Sequence, residues 1–167
     1  KAYMIIKMNS LVDEEMMDKL YEASQAGVTV KLIIRGICSL KPGVPGLSEN
    51  IEAISIVDKF LEHSRIFYFY HGGNEKLFIS SADWMVRNLD RRIEVTCPVY
   101  DPEIRRELKQ QLKIQLSDNV KARILDDQQE NKYVSNNHKP LQAQEAYYHY
   151  LKRRKAQIDA KNQIKGK

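Results

Sequence analysis

Residues that build disulfide frameworks or zinc sites are scarce in this sequence. Only two of its 167 residues are cysteines, Cys38 and Cys97, and neither has a histidine or cysteine companion at a metal-ligand spacing. We expect both thiols to be reduced packing residues. No apolar run approaches the length of a membrane-spanning helix, and no segment of the signal-peptide type opens the chain. The sequence therefore predicts a cytoplasmic protein, with membrane association left open.

The chain has the length of one ordinary domain. It opens inside an apparent strand without an initiator methionine, so we expect a piece of a longer protein. The formal net charge of +5 indicates an anionic partner, such as a nucleic acid, a nucleotide or an inorganic polyanion. Part of this excess comes from the basic run at 152–155. Such runs are more often a solvated helix face than a recognition element.

A strand, a helix and a second strand follow one another at the start of the chain. An apolar segment at 2–7 precedes a helical pattern that begins near Asp13 and ends at Gly27, and the clearest strand of the chain spans 28–34. This order is typical of a βαβ unit, which implies a parallel pair of strands. Ligands of such sheets bind beyond the carboxyl ends of the strands.

Polar side chains follow both of these predicted strands. Lys7 and Asn9 come after the first strand, and Arg35 follows the second. Gly36 stands next to Arg35 and would let a ligand approach the backbone closely. The segment 38–50 contains two prolines and two glycines, so we predict a loop and a candidate for a segment that moves over the site.

The most informative stretch combines a histidine with a predicted β-hairpin. His63 and Arg65 precede an apolar extended run at 66–70, and the turn Gly72-Gly73-Asn74 leads into a second run that ends in a turn at 80–83. An imidazole can act as a nucleophile or a general acid or base near neutral pH, and a guanidinium neutralises phosphate oxygens. The stretch therefore predicts a site for phosphate chemistry.

The remaining segments complete an α/β pattern. Residues 51–61 mix helical and strand spacing, so a strand followed by a short helix and one continuous helix both remain open. We expect Trp84 to pack in the core. The later elements, in chain order, are a polar turn that contains Arg87, a strand at 93–100 that contains Glu94, a helix capped by Asp101, an edge strand at 120–125, a polar loop at 126–140 and a charged helix at 141–161. Together they predict a mixed, largely parallel sheet flanked by helices.

Four segments together resemble the C-terminal domain of polyphosphate kinase. They are Lys7-Met8-Asn9-Ser10-Leu11 and the segments 30–40, 54–65 and 80–88. The resemblance runs from the start to about Val134, which implies a catalytic domain at 1–134 and a polar loop with a basic helical tail at 135–167. Enzymes of this family transfer the γ-phosphate of ATP reversibly to inorganic polyphosphate. The resemblance thus implies ATP, ADP and polyphosphate as partners, Mg²⁺ bound with ATP, and contacts with other domains of the same enzyme. Assembly into a homo-oligomer is left open.

This domain in turn resembles one half of the phospholipase D superfamily fold. Paired domains of that superfamily each bring a histidine to a shared phosphoryl-transfer site, with the motif His-x-Lys-x4-Asp and a later Gly/Ser-Ser-x-Asn turn. His63 fits the histidine, Arg65 replaces the lysine, Tyr70 occupies the aspartate position, and 80–83 resembles the turn. The two departures argue against an independent phosphodiesterase and fit the diverged version of the kinase.

The resemblance also implies roles for individual residues. Arg35 and His63 match the positions that contact ATP or its phosphates, and His63 is the expected catalytic residue. The phosphorylated histidine and the magnesium ligands of the family belong to the preceding domain, which implies no metal ligand here and an isolated chain without activity. The candidate supporting residues are Lys7, Asn9, Arg65, Asp83, Arg87 and Glu94.

A second hypothesis treats the chain as a basic module that binds nucleic acid or another polyanion without catalysis. The positive charge supports this hypothesis, in which His63 has no functional role. No stretch interleaves aromatic and basic residues, and neither a helix-turn-helix nor a zinc pattern is present in the sequence. We therefore expect no specific nucleic-acid partner.

Overall fold

A seven-stranded sheet forms the centre of the computed structural model, which describes residues 2–165. The strands are β1 (Ala2–Met8), β2 (Thr29–Ile34), β3 (Ile51–Ile56), β4 (Ile66–His71), β5 (Asn74–Ser80), β6 (Thr96–Pro98) and β7 (Ala122–Leu125). The helices are α1 (Glu14–Gln25), α2 (Val86–Leu89), α3 (Pro102–Leu116) and α4 (Ala143–Lys165). Within this described part of the chain, no helix has the length and apolar character needed to cross a membrane.

The strand order is β6-β5-β4-β1-β2-β3-β7. The predicted βαβ unit is confirmed, because β1 and β2 are parallel and α1 connects them. The mixed sheet is also confirmed, but "largely parallel" was too strong a prediction. Only β1–β2 and β2–β3 are parallel, whereas the other four neighbouring pairs are antiparallel. The reason is that the hairpin β4–β5 docks on the free side of β1, and a tight turn can join only antiparallel strands.

The ends of the two long central helices follow the predicted local chemistry. Asp13 caps α1 by accepting a hydrogen bond from the backbone N–H of Met16, and Gly27 follows the helix with a φ of 80°. Asp101 caps α3, and Pro102 occupies its first turn. Both side-chain caps satisfy backbone donors that have no partner inside the helix.

Apolar side chains fill both faces of the sheet. Trp84 is buried and packs on Phe67 with ring centroids 5.3 Å apart, which confirms its core role. Cys38 packs against the same layer, but Cys97 is exposed on the edge strand β6, so the prediction that it packs inside was wrong. The layer under α1 is built around Ile6, Met8, Leu32, Ile34 and Trp84, and the layer under α3 and α4 around Ile33, Ile66, Tyr68, Leu112 and Ala143.

Several segments are more irregular than the sequence predicts. After β3 the chain continues without a helix through 57–65, which decides the open alternative in favour of a strand and a loop. The strand predicted at 93–100 is reduced to β6, and Glu94 lies before it. The loop at 38–50 is attached to the core through Leu40, which is buried in the layer under α1, and to α1 through Asn50, whose Nδ2 donates to the Ser24 carbonyl at 2.9 Å. Its closure over the site stays a prediction.

One buried carboxylate joins the end of α3 to the start of α4. Asp118 is 1% exposed, and its Oδ1 accepts hydrogen bonds from the backbone N–H groups of Val120 (2.9 Å), Lys121 (2.7 Å) and Ala122 (3.0 Å). Its Oδ2 accepts from the N–H of Ala143 at 2.7 Å. The first turn of α4 therefore packs with the sheet, although we had predicted a separate tail from 135 onward. That domain division stays a prediction.

We expect Asp118→Ala to lower the free energy of unfolding by about 3 kcal/mol, because the substitution leaves four backbone donors without their acceptor. Asp101→Ala is the matched control, since it removes an exposed helix cap and should cost about 1 kcal/mol. Urea unfolding measures both. Equal losses for the two variants would contradict the role given to Asp118.

Candidate functional site

The topology gathers the predicted site residues at the carboxyl edge of β1 and β2. β4 runs antiparallel to β1 with Ile66 opposite Lys7, so the segment before β4 lies at the end of β1. β5 ends beside the start of β4, with Ile79 opposite Ile66, which brings the turn at 80–83 to the same edge. We call residues 57–65 the His63 loop. The residues that meet here are Lys7, Asn9, Arg35, His63, Arg65 and Asp83.

The Asp83 carboxylate holds this edge together. Its Oδ1 accepts from the backbone N–H groups of Asn9 (2.7 Å) and Ser10 (3.2 Å) and from Arg65 Nε (3.1 Å), and its Oδ2 accepts from Arg65 NH2 (2.9 Å). Burial by itself would raise the pKa of Asp83, but the hydrogen bonds from Arg65 and Asn9 outweigh burial and lower it. Asp83 is therefore ionised at neutral pH and ties the end of β1 to the turn after β5.

Arg35 and His63 are direct neighbours. Arg35 Nε donates to Asn9 Oδ1 at 3.0 Å, and Arg35 NH2 lies 3.3 Å from Nε2 of His63. Since a guanidinium only donates, Nε2 of His63 is the acceptor of this contact. Arg65 NH1 donates to the His63 carbonyl at 2.9 Å. The contacts thus close a ring that runs from Arg35 through Asn9, Asp83, Arg65 and His63 back to Arg35.

The two arginines of the ring have different tasks. All three nitrogens of Arg65 are engaged by Asp83 and the His63 carbonyl, so Arg65 supports the site by positioning its neighbours. Arg35 is fixed through Nε alone, and its terminal nitrogens face the exposed His63. Because Oδ1 of Asn9 faces Arg35, its buried Nδ2 is left without a partner within residues 2–165. The arrangement therefore directs the Arg35 guanidinium outward and leaves Nδ2 of Asn9 unpaired within this part of the chain.

Lys7 lies beneath the His63 loop. Its Nζ is 3.2 Å from Glu62 Oε1 and donates to the Ser64 carbonyl at 3.1 Å, so the buried ammonium holds both neighbours of His63. Burial lowers the pKa of Lys7, and the charges of two nearby arginines act in the same direction. Burial alone would raise the pKa of Glu62, but Lys7 and the hydrogen bonds from Ser64 and Gln115 lower it. Lys7 therefore supports the loop from below.

Glu94 and Arg87 lie outside the ring. Glu94 accepts hydrogen bonds from Ser81 Oγ and from Asn88 Nδ2, and these bonds lower its pKa. It thus fixes the turn at 80–83 through Ser81. Arg87 is exposed on α2, and within residues 2–165 it is not one of the residues that contact the ring.

Tyr70, at the aspartate position of the superfamily motif, is remote from this edge. It pairs with Tyr3 in the first half of β1, and the two rings have centroids 4.9 Å apart. Tyr70 is partly buried and packs against the layer under α3 as an apolar residue, which agrees with the loss of the motif's aspartate.

Sequence reasoning missed the polar residues that hold the His63 loop. Glu62 accepts from Gln115 Nε2 at 2.6 Å, and Gln142 and Gln144 contact the loop from the start of α4. One signal was present, because Gln111 and Gln115 lie four residues apart on the apolar face of α3 and are buried. No group of three or more His, Cys, Asp or Glu side chains within residues 2–165 is placed to hold a metal ion.

Comparison with known proteins identifies close relatives. A family model for the polyphosphate kinase C-terminal domain 2 matches residues 1–144. The polyphosphate kinase of Rhodopirellula baltica is 52% identical over 153 residues, which make up 90% of this chain and 18% of that protein. The chain therefore spans about a fifth of the length of the curated relatives that it matches.

Solved structures agree with these matches. The crystal structure of the polyphosphate kinase from Porphyromonas gingivalis superposes with a TM-score of 0.91 at 51% identity, over 94% of this chain and 24% of that chain. Nuc from Salmonella typhimurium, a phospholipase D family member, superposes with a TM-score of 0.56 at 12% identity, over 74% of this chain and 82% of that chain. The second match concerns the fold alone, and it confirms the predicted phospholipase D-like architecture.

Asp83 should make the stability of the fold depend on pH. Because folding lowers its pKa, the ionised carboxylate stabilises the fold at neutral pH, and this contribution is lost as the pH falls below the ordinary aspartate value of about 3.9. We expect Asp83→Asn to lower the free energy of unfolding by about 3 kcal/mol at neutral pH. On acidification, the free energy of unfolding of the variant should fall less than that of the parent. Urea unfolding over a series of pH values measures both effects.

The matched control is Asp18→Asn on the exposed side of α1. This variant should follow the parent at every pH. An Asp83→Asn protein whose stability falls as steeply as that of the parent on acidification would show that Asp83 is not the group that titrates.

Proposed function

Because the chain belongs to the polyphosphate kinase C-terminal domain family, we propose that it supplies part of a site that transfers the γ-phosphate of ATP reversibly to inorganic polyphosphate. The observation that carries this proposal is the direct contact between Arg35 and His63 at the carboxyl edge of the parallel strands. The match covers 18% of the relative from Rhodopirellula baltica, and the remainder of the site is proposed to come from other domains of the enzyme.

Arg35 is the proposed phosphate-binding residue. Phosphoryl transfer depends mainly on positioning and on neutralising the charge of the non-bridging oxygens. Asn9 fixes the Nε of Arg35, and the terminal nitrogens can turn from His63 to an incoming phosphate. A guanidinium held in this way can bind two phosphate oxygens at once.

His63 is the proposed catalytic residue. When the bond between Pγ and the bridging oxygen of ADP breaks, negative charge develops on that oxygen. Because Arg35 donates to the unprotonated Nε2 in this structure, that nitrogen can carry a proton only after Arg35 turns to the phosphate. The protonated imidazole then stabilises the charge or donates the proton, and in the reverse reaction the neutral ring accepts it. The contact between Nε2 and Arg35 supports an orientation of the ring toward the phosphates that Arg35 binds.

The partners of the whole enzyme belong to the same proposal. ATP or ADP and polyphosphate are the substrates, and Mg²⁺ accompanies the nucleotide. The magnesium ligands are expected in another domain of the enzyme, and no step is assigned to a metal held by this chain. The phosphorylated histidine would come from another domain of the enzyme, and the whole enzyme would act in the cytoplasm.

A purely electrostatic polyanion-binding module is the second candidate, and the net charge of +5 favours it. Part of the charge of α4 is already paired, because Arg154 lies 2.8 Å from Glu107 and 3.5 Å from Glu103. This pairing makes the tail a weaker anion site than its sequence suggests.

We expect Arg35→Ala to weaken the binding of tripolyphosphate by this chain by about tenfold to a hundredfold, which is the effect of losing one charged hydrogen-bond donor. Lys19→Ala removes the same charge from the exposed side of α1 and should leave binding almost unchanged. Titration calorimetry at low and moderate salt measures the affinity. Equal losses in the two variants, or equal binding of duplex DNA, would favour the electrostatic module.

The isolated chain should form no polyphosphate from ATP and Mg²⁺, because the phosphorylated histidine is expected in another domain.

In an enzyme that joins this chain to the other domains, we expect His63→Ala to lower kcat about a hundredfold or more with the fold intact. Quantifying polyphosphate and recording circular dichroism test both statements. Synthesis by the isolated chain, or near-normal kcat in the variant, would contradict them.

A further inference from the structure

The His63 loop has little apolar burial to hold it in place. Val57, Phe60 and Leu61 are 68%, 59% and 75% exposed, respectively. A loop whose apolar side chains face solvent gains little from the hydrophobic effect, so its conformation depends on polar contacts.

Two glutamines at the start of α4 supply such contacts. Gln142 Nε2 donates to both carboxylate oxygens of Asp58, at 3.0 and 2.8 Å. Gln144 forms a reciprocal pair with the backbone of Phe60, because the Phe60 N–H donates to Oε1 (2.8 Å) and Nε2 donates to the Phe60 carbonyl (2.7 Å). A side-chain amide can donate and accept at once, so Gln144 satisfies both backbone groups of one peptide residue.

These glutamines project from a fixed base. Ala143, between them, is 2% exposed, and its N–H donates to the buried Asp118 carboxylate at 2.7 Å. The N–H of Leu141 donates to Asn119 Oδ1 at the same distance of 2.7 Å. The first half of the His63 loop is therefore attached to a part of the molecule that cannot shift independently of the core.

The second half of the loop is attached to the opposite side of the site. Glu62 and the Ser64 carbonyl contact Lys7, and the His63 carbonyl contacts Arg65. His63 thus lies between two sets of tethers, one from α4 and one from the ends of β1 and β4.

We propose that Gln142 and Gln144 are positioning residues for His63, which makes the first turn of α4 a part of the site although it contacts no substrate. This inference rests on the proposed function, because it concerns the orientation of the proposed catalytic ring. It also gives residues 142–144 a role in the site, although they lie beyond the segment whose sequence motifs indicated the family.

The first test measures the position of the ring directly. In isotope-labelled chain, nuclear Overhauser contacts between the His63 imidazole and the Arg35 side chain should be present in the parent and lost in Gln144→Ala. Gln128→Ala, an identical change at an exposed glutamine whose Nε2 donates to Asp127, should keep them. Retention of the contacts in Gln144→Ala would overturn the proposal.

The second test measures the consequence for catalysis. In an enzyme that joins this chain to the other domains, Gln144→Ala should lower kcat about tenfold or more, since small misplacements of a reacting group are costly, with little change in KM for ATP. Urea unfolding of the same variants reveals any general loss of stability. A normal kcat in a folded Gln144→Ala enzyme, or a fall that Gln128→Ala shares, would overturn the proposal.

A reciprocal exchange of side chains at the contact between Asp58 and Gln142 separates an effect on positioning from an effect on folding. Gln142→Glu places two carboxylates together and should lower kcat, whereas adding Asp58→Asn restores a donor and an acceptor and should recover most of the activity. Failure of the double variant to recover, in a folded protein, would overturn the role of Gln142. His63→Ala and Arg35→Ala are measured in parallel. If these two variants are also fully active, the proposed function fails, and if they alone are inactive, only the positioning inference fails.

Discussion

The site depends on one buried carboxylate. Asp83 accepts two backbone hydrogen bonds from the end of β1 and two from Arg65, and so joins three segments that are distant in the sequence. A buried ion pair need not add stability relative to apolar packing, but loss of one partner leaves a charge without compensation. The ion pair between Asp83 and Arg65 therefore gives one arrangement of this edge of the sheet a lower free energy than arrangements that leave either charge unpaired. The orientation of Arg35 follows from it, because Asn9 has to lie where its N–H meets Asp83.

This arrangement divides the basic residues into structural and available ones. Lys7 and Arg65 are engaged by the protein itself, and both hold the backbone next to His63. Arg35 keeps its terminal N–H donors at the surface beside the His63 imidazole. An anion could meet two mobile guanidinium groups in many geometries, whereas one fixed guanidinium permits few. The engagement of Lys7 and Arg65 thus contributes geometric selectivity to a site that would otherwise be defined by charge alone.

How much of this was predictable depends on the sequence separation of the contacts. Helix caps, the turn of the hairpin and the βαβ unit are local or nearly local, and the sequence predicted them. The general location of Arg35 followed from the rule that parallel sheets bind ligands at their carboxyl edge, and His63 was identified by its position before the predicted hairpin. The side of β1 on which the hairpin docks has no local signal, which is why the proportion of parallel strands was overestimated. The pairing of Asp58 with Gln142 spans 84 residues, and neither residue is unusual in its own neighbourhood.

The same reasoning changes the view of the C-terminal helix. Its sequence carries the basic run at 152–155, and composition alone favoured a solvated tail. The structure separates the helix into a first half, in which Ala143, Tyr147 and Tyr150 pack on the layer under α3, and the basic run, in which Lys152, Arg153 and Lys155 are exposed and Arg154 pairs with α3. Solvated lysines attract any polyanion and are screened by salt, but they select none. Selection requires donors that are fixed before a ligand arrives, and in this molecule Asn9 holds the Arg35 guanidinium while Lys7 and Arg65 hold the backbone at His63.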